Sequence, residues 1–179
     1  MNSLPPNNNA VFRKVAFGGM KKPELLEALQ TSGVELSDYA RLLFASDLFQ
    51  TSASGKTLET VELSVLDLGF DRGATTAAIL KAATAFGLAL CPLELGPHLR
   101  LQYADQPEGF LGFPPSKHCA PPGSITIASE PLTDDHDFPK GFYLRRIEGT
   151  LWLKAFCASP EHVRAPEDRL VFCHNSAAA

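Results

Sequence analysis

Apolar and polar positions alternate most cleanly between Gly141 and Phe156. Two strand-like runs, Phe142–Ile147 and Thr150–Phe156, flank Glu148-Gly149, a dipeptide suited to a two-residue hairpin turn because Gly accepts positive φ without a Cβ clash. That turn sets Ile147 opposite Thr150, and the pairs Arg146/Leu151, Arg145/Trp152, Leu144/Leu153 and Tyr143/Lys154 follow. Strand side chains alternate between faces, so Phe142, Leu144, Leu151, Leu153 and Ala155 form a core face. Tyr143, Arg145, Ile147, Thr150, Trp152 and Lys154 form the other. On that second face Arg145 is placed to stack on Trp152.

Helical periodicity dominates the earlier chain. Pro23 and Glu24 open a helix with Leu25, Leu26 and Leu29 on one side, and Gly33 stops it. A second helix runs from Glu35 or Ser37 to Ser46, and a third, capped by Asp71 or Thr75, runs to about Phe86 before Gly87. Between the last two, Thr60–Leu68 alternates as a strand would. Further strands are predicted at Leu99–Tyr103, Ser124–Ser129 and Arg169–His174, with a long Pro/Gly-rich connection over 104–123. Helices first and hairpins after predict an α+β fold: N-terminal helices followed by a mostly antiparallel β-meander packed against a helix. Residues 1–19 read as a flexible tail, 20–174 as a single globular domain and 175–179 as a second flexible tail. Met20, followed at once by a helical pattern, is a plausible natural start.

Charge narrows the partners. The net charge is −4, and residues 1–22 contain Arg13, Lys14, Lys21 and Lys22 but no acid. So 12 of the 16 basic residues and all 20 acidic ones lie beyond them, a composition that argues against nonspecific nucleic-acid binding. No apolar run is long enough to span a bilayer, and the start lacks the apolar core of a secretory signal. The four cysteines, Cys91, Cys119, Cys157 and Cys173, form no CxxC pair and are expected to be reduced, in keeping with a cytoplasmic protein.

Leu90-Cys-Pro-Leu-Glu-Leu-Gly-Pro-His-Leu-Arg-Leu-Gln102, Ile125–Leu132 and Gly141–Arg146 resemble a family of small uncharacterised bacterial proteins. The resemblance extends from about Met20 to Cys173. It implies a bacterial, cytoplasmic protein and brings no activity with it.

The chemistry-bearing residues divide into two sets. Cys91, Glu94 and His98 supply the residue types of a thiol nucleophile, a base and an orienting group, although Cys91 lies between Leu90 and Pro92 as a buried structural cysteine would. Arg100, Gln102, Tyr143, Arg145 and Trp152 would line an anion pocket if the predicted strand at 99–103 and the hairpin shared one side of the sheet. The rival role for those arginines is ion pairing with Glu94, Asp105 and Glu130. Gly55-Lys56-Thr57 echoes a phosphate-binding loop but has Gln50 where the motif requires Gly, and no strand before it. Asp134–Asp137 lacks the spacing of a calcium loop. His118-Cys119, Cys157 with His162, and Cys173-His174 lack a zinc-knuckle spacing. No metal or cofactor is expected. The favoured function is a non-enzymatic cytoplasmic module, monomer or homodimer, that binds a protein or a small anionic ligand on its Arg/aromatic sheet face. The alternative is a small enzyme acting on an anionic substrate through Cys91, Glu94 and His98 or through an arginine-lined pocket.

Overall fold

The hairpin between Gly141 and Phe156 anchors the architecture. A computed structural model describes residues 9–110 and 120–174. In it β7 (Gly141–Ile147) and β8 (Thr150–Phe156) pair in the register that the turn predicts, with Arg145 opposite Trp152 and Leu144 opposite Leu153. Glu148 (φ 51°) and Gly149 (φ 74°) both take positive φ, the geometry of a turn whose twist matches that of its strands.

The remaining elements are β1 (Val11–Phe17), α1 (Lys22–Thr31), β2 (Val34–Leu36), α2 (Asp38–Ala45), β3 (Lys56–Ser64), β4 (Ala74–Thr75), α3 (Thr76–Ala85), β5 (Leu88–Ala89), α4 (Leu95–Gln102), β6 (Ile125–Ile127), β9 (Val163–Arg164) and β10 (Arg169–His174). The main sheet runs β1-β3-β10-β6-β7-β8-β2, with β5 beside the end of β10. A separate two-stranded pair joins β4 to β9.

The expected order of helices followed by an antiparallel meander is overturned. Strands and helices interleave from the start, and the sheet is mixed: β10 runs parallel to β6, and β2 runs parallel to β8. Turn chemistry fixes direction only across a tight hairpin. The longer connections carry no such signal, so the return of β10 between β3 and β6 is set by tertiary packing. Residues 11–17, placed by sequence in the N-terminal tail, form β1 along β3, with Val15 and Phe17 buried. Residues 1–8, 111–119 and 175–179, including both tail ends, His118 and Cys119, lie outside the described residues. The predicted strand at Leu99–Tyr103 is instead the second half of α4. Leu95 through Arg100 are all buried, so the helix has no polar stripe over that stretch to reveal its period, and Leu99-Arg-Leu-Gln-Tyr reads as alternation.

Each face of the sheet has its own core. On one, Phe142, Leu144, Leu153 and Val171 pack with Leu25, Leu29, Leu43, Leu95 and Leu99 from α1, α2 and α4. Phe44, Phe49 and Phe142 meet there with ring centroids 5.4–5.9 Å apart. On the other face, Val61, Leu63, Leu170 and Phe172 pack with Ile79 and Ala83 of α3. Among the described residues no helix is long and apolar enough to cross a membrane.

Helix caps join local structure to the sheet. Ser37 Oγ accepts from the Ala40 N–H at the start of α2 and also from the Ala155 N–H of β8, both at 3.2 Å. Thr75 Oγ1 caps α3 through one longer contact, 3.4 Å to the Ala78 nitrogen. Ser37→Ala should therefore cost about 1–3 kcal/mol, since it strands two N–H donors, and Thr75→Ala only about 1 kcal/mol. Urea denaturation of the two variants checks the order, and equal losses would show that the link from Ser37 to β8 contributes nothing.

Candidate functional site

The two residue sets singled out in the sequence do not assemble as expected. Glu94, His98 and Gln102 recur every fourth residue, so they share one side of α4 and its entry. That side is stitched to the neighbouring backbone. The Glu94 carboxylate accepts from the Ser52 N–H at 2.9 Å and from the Ser52 hydroxyl. His98 Nε2 accepts from the Gly18 N–H at 3.1 Å. The Gln102 amide accepts from the Ala16 N–H at 3.0 Å and donates to the Ala16 carbonyl at 2.7 Å. The Cys91 thiol faces elsewhere, toward the Val171 carbonyl at 3.5 Å. Its hydrogen bond with Cys173, together with burial, pushes it well above the ordinary thiol range. Each polar group of the proposed nucleophilic set thus holds backbone in place, and no thiol–imidazole contact forms.

Arg100 is fully buried on α4, on the helix-covered side of the sheet, away from Tyr143, Arg145 and Trp152. It donates to Gln106 Oε1 at 2.5 Å and to the Tyr103 carbonyl, and Gln106 in turn donates to the carbonyls of Gly123 and Leu144. Burial and the nearby Arg146 lower its pKa to about 10, with Tyr103 opposing. The expected shared face of Arg100, Gln102, Tyr143, Arg145 and Trp152 is thus divided between opposite sides. The rival ion-pair partners are not used either: Glu62 bridges Arg13 (2.7 Å) and Arg169, while Glu108 pairs with Arg146 at 3.2 Å. Arg145 does not stack on Trp152. Its guanidinium donates to the Phe110 carbonyl at 3.1 Å, and Lys154 Nζ lies 4.4 Å from the indole centroid instead.

The outer face of β6–β7–β8 nonetheless borders a cleft. Tyr143, Trp152 and Lys154 are half-buried there, and neither tyrosine nor tryptophan packs on either core. A cleft of about 830 Å³ opens over Thr126 and Tyr143 and around the chain leaving β8, with Phe156, Pro121 and Arg164 among its walls. Arg164 is carried on β9, which β4 holds through the pairs Ala74/Arg164 and Thr75/Val163. The position is tightly set: a Cβ on Gly73 would stand 2.2 Å from the Arg164 carbonyl oxygen. The guanidinium carbon lies 5.1 Å from the Phe156 ring centroid. Burial lowers the Arg164 pKa, and the charge of Asp168 partly opposes that shift. Burial raises the Tyr143 hydroxyl, which stays protonated as a donor, while Arg145 acts in the opposite direction.

Of the residues singled out in the sequence Tyr143 lines this cleft, whereas Arg164 was not singled out, because Val163-Arg-Ala-Pro166 reads as loop and only the pairing with β4 gives it a place. The acidic segment before the hairpin is a turn held by Lys140, whose ammonium donates to the Thr133 and Asp135 carbonyls. Among the described residues, no group of three or more His, Cys, Asp or Glu is arranged to hold a metal ion.

The His98 contact has a pH signature. Burial lowers the pKa of this imidazole below the ordinary 6.5, with Glu94 opposing. The folded state therefore prefers the neutral ring, which alone can accept the Gly18 N–H. Its stabilisation is present above pH 6.5 and is lost as pH falls through the lowered folded-state value. His98→Gln offers an amide oxygen to the same N–H at any pH, so the wild type should lose stability relative to this variant on acidification from about pH 7 to 5. Urea denaturation across that range checks it, and parallel pH profiles would remove the assigned role.

No protein-family model, curated protein or solved structure matches this chain, so its chemistry rests on its own residues.

Proposed function

We propose that the protein is a non-enzymatic binding module that takes a small ligand in the cleft on the outer face of β6–β7–β8. The observation that carries this reading is the concavity itself. About 830 Å³ of open volume lies against Tyr143, Phe156 and Arg164, within the size range of small-molecule sites, where apolar walls surround a few polar groups. Among its polar lining groups, the Tyr143 hydroxyl and the Arg164 guanidinium can both donate, which suits an acceptor group on the ligand. The enzymatic alternative through Cys91, Glu94 and His98 loses support, because each of those groups is occupied by a backbone contact or by Cys173. The bacterial, cytoplasmic setting implied by the sequence resemblance belongs to the same proposal.

A fragment screen followed by amide ¹H–¹⁵N NMR tests it. Binding fragments should shift the amides of Thr126, Tyr143, Phe156 and Arg164, and quench Trp152, the single tryptophan and a near neighbour on the same face. Hits that instead map to the α4–β1 seam, or a screen with no hit in the cleft, would overturn the reading.

A further inference from the structure

Arg164 is 4% exposed and its Nε is buried without a hydrogen-bond partner, as are those of Arg100, Arg145 and Arg146; unlike theirs, its terminal nitrogens meet no acceptor among the described residues. The nearby Asp168 is not within ion-pair distance, and its carboxylate accepts the Ala165 N–H at 3.1 Å. A buried guanidinium whose counter-charge stands beyond ion-pair distance is costly, because Asp168 offsets its desolvation only in part and no hydrogen bond offsets the rest. Its guanidinium carbon lies against the Phe156 ring. Arg100 and Arg145, equally hidden, both donate to carbonyl oxygens. Arg164 is the exception, and it is the one that lines the cleft.

Resting on the cleft reading above, we infer that Arg164 is the anchor for a carboxylate, and that the ligand is a small monocarboxylate with an apolar or aromatic body. A guanidinium fork matches a carboxylate through two parallel N–H donors, and the β4–β9 pairing fixes the backbone that carries it. The charge balance favours a single negative charge: Glu161 also lines the cleft, and Arg164 is the arginine there. A dianionic phosphate would place two negative charges beside that carboxylate, where a monocarboxylate places one. Phe156 and Pro121 supply the apolar wall for the body, and the Tyr143 hydroxyl is a further donor.

Wild type and Arg164→Met are titrated by NMR with 3-phenylpropionate, 3-phenylpropionamide and phenyl phosphate, and melted without ligand. The acid should bind the wild-type cleft at least about tenfold more tightly than the amide, the difference of a charge-assisted bond. Arg164→Met should bring the acid down to the level of the amide and melt at or above the wild-type temperature, since a buried charge that Asp168 compensates only in part is removed. Acid and amide binding equally well in the cleft would overturn the carboxylate assignment and leave the binding module standing. Tighter binding of phenyl phosphate than of the acid would overturn the single-charge assignment. If no probe shifts a cleft amide, the inference and the binding reading fall together. A melting temperature more than about 5 °C below wild type would make Arg164 a structural cation. If Arg164→Met does not fold, Arg164→Lys, which keeps the charge and loses the fork, decides: the acid should weaken at least about threefold, and unchanged affinity would overturn the inference.

Discussion

At Gly96 the backbone of α4 approaches the sheet so closely that an added Cβ would stand 2.8 Å from the Cβ of Phe142. Much of the molecule follows from that approach. It seats Leu95 and Leu99 in the same core as Phe142, Leu144 and Leu153. It also brings one polar side of the helix against backbone from two separate places: Ser52, and the stretch from Ala16 to Gly18. Interiors are packed tightly enough that moving the helix outward by one methyl group would disturb all of these contacts together. The residues that carry them, Glu94, His98 and Gln102, look catalytic in a list of residue types and are structural in space.

How much of this was legible depended on whether a local rule governed the element. The β7–β8 register was readable because Glu148-Gly149 restricts the turn and alternation then places every side chain. Helices α1, α2 and α3 were readable from their caps and terminal glycines. β1 was hidden by its neighbours: Pro5-Pro6 and three asparagines on one side and Gly18-Gly19 on the other make the strand look like part of a tail. β2, three residues between two helices, is too short to show a period. α4 was misread because burial removed its polar positions. The parallel pairings of β6 with β10 and of β2 with β8 depend on long connections whose geometry no short motif encodes.

The site divides in the same way. Tyr143 was legible as an outward-facing hairpin residue, and its placement follows from the register alone. Arg164 had no sequence signal, since its importance arises from a two-residue strand paired with another two-residue strand ninety positions earlier. Hidden arginines are otherwise used here as braces. Arg100 ties the end of α4 to Tyr103 and Gln106, and Arg145 holds the Phe110 carbonyl. Both replace water with backbone oxygen at a terminal nitrogen, which offsets part of the cost of hiding them, while each Nε stays unpartnered.

The two-way contact between Gln102 and Ala16 bears on how copies of this chain behave when crowded. β1 is a terminal strand of the sheet, and an outer strand normally offers unpaired N–H and C=O groups as a template for a strand of another molecule. The Gln102 amide occupies one such pair by imitating a neighbouring peptide group, at the end of β1 nearest the Gly18-Gly19 turn. At the opposite margin, β2 is only three residues long and offers little length to extend. A foreign strand therefore finds little length at one margin of the sheet, and at the other a single glutamine closes off one end of the strand.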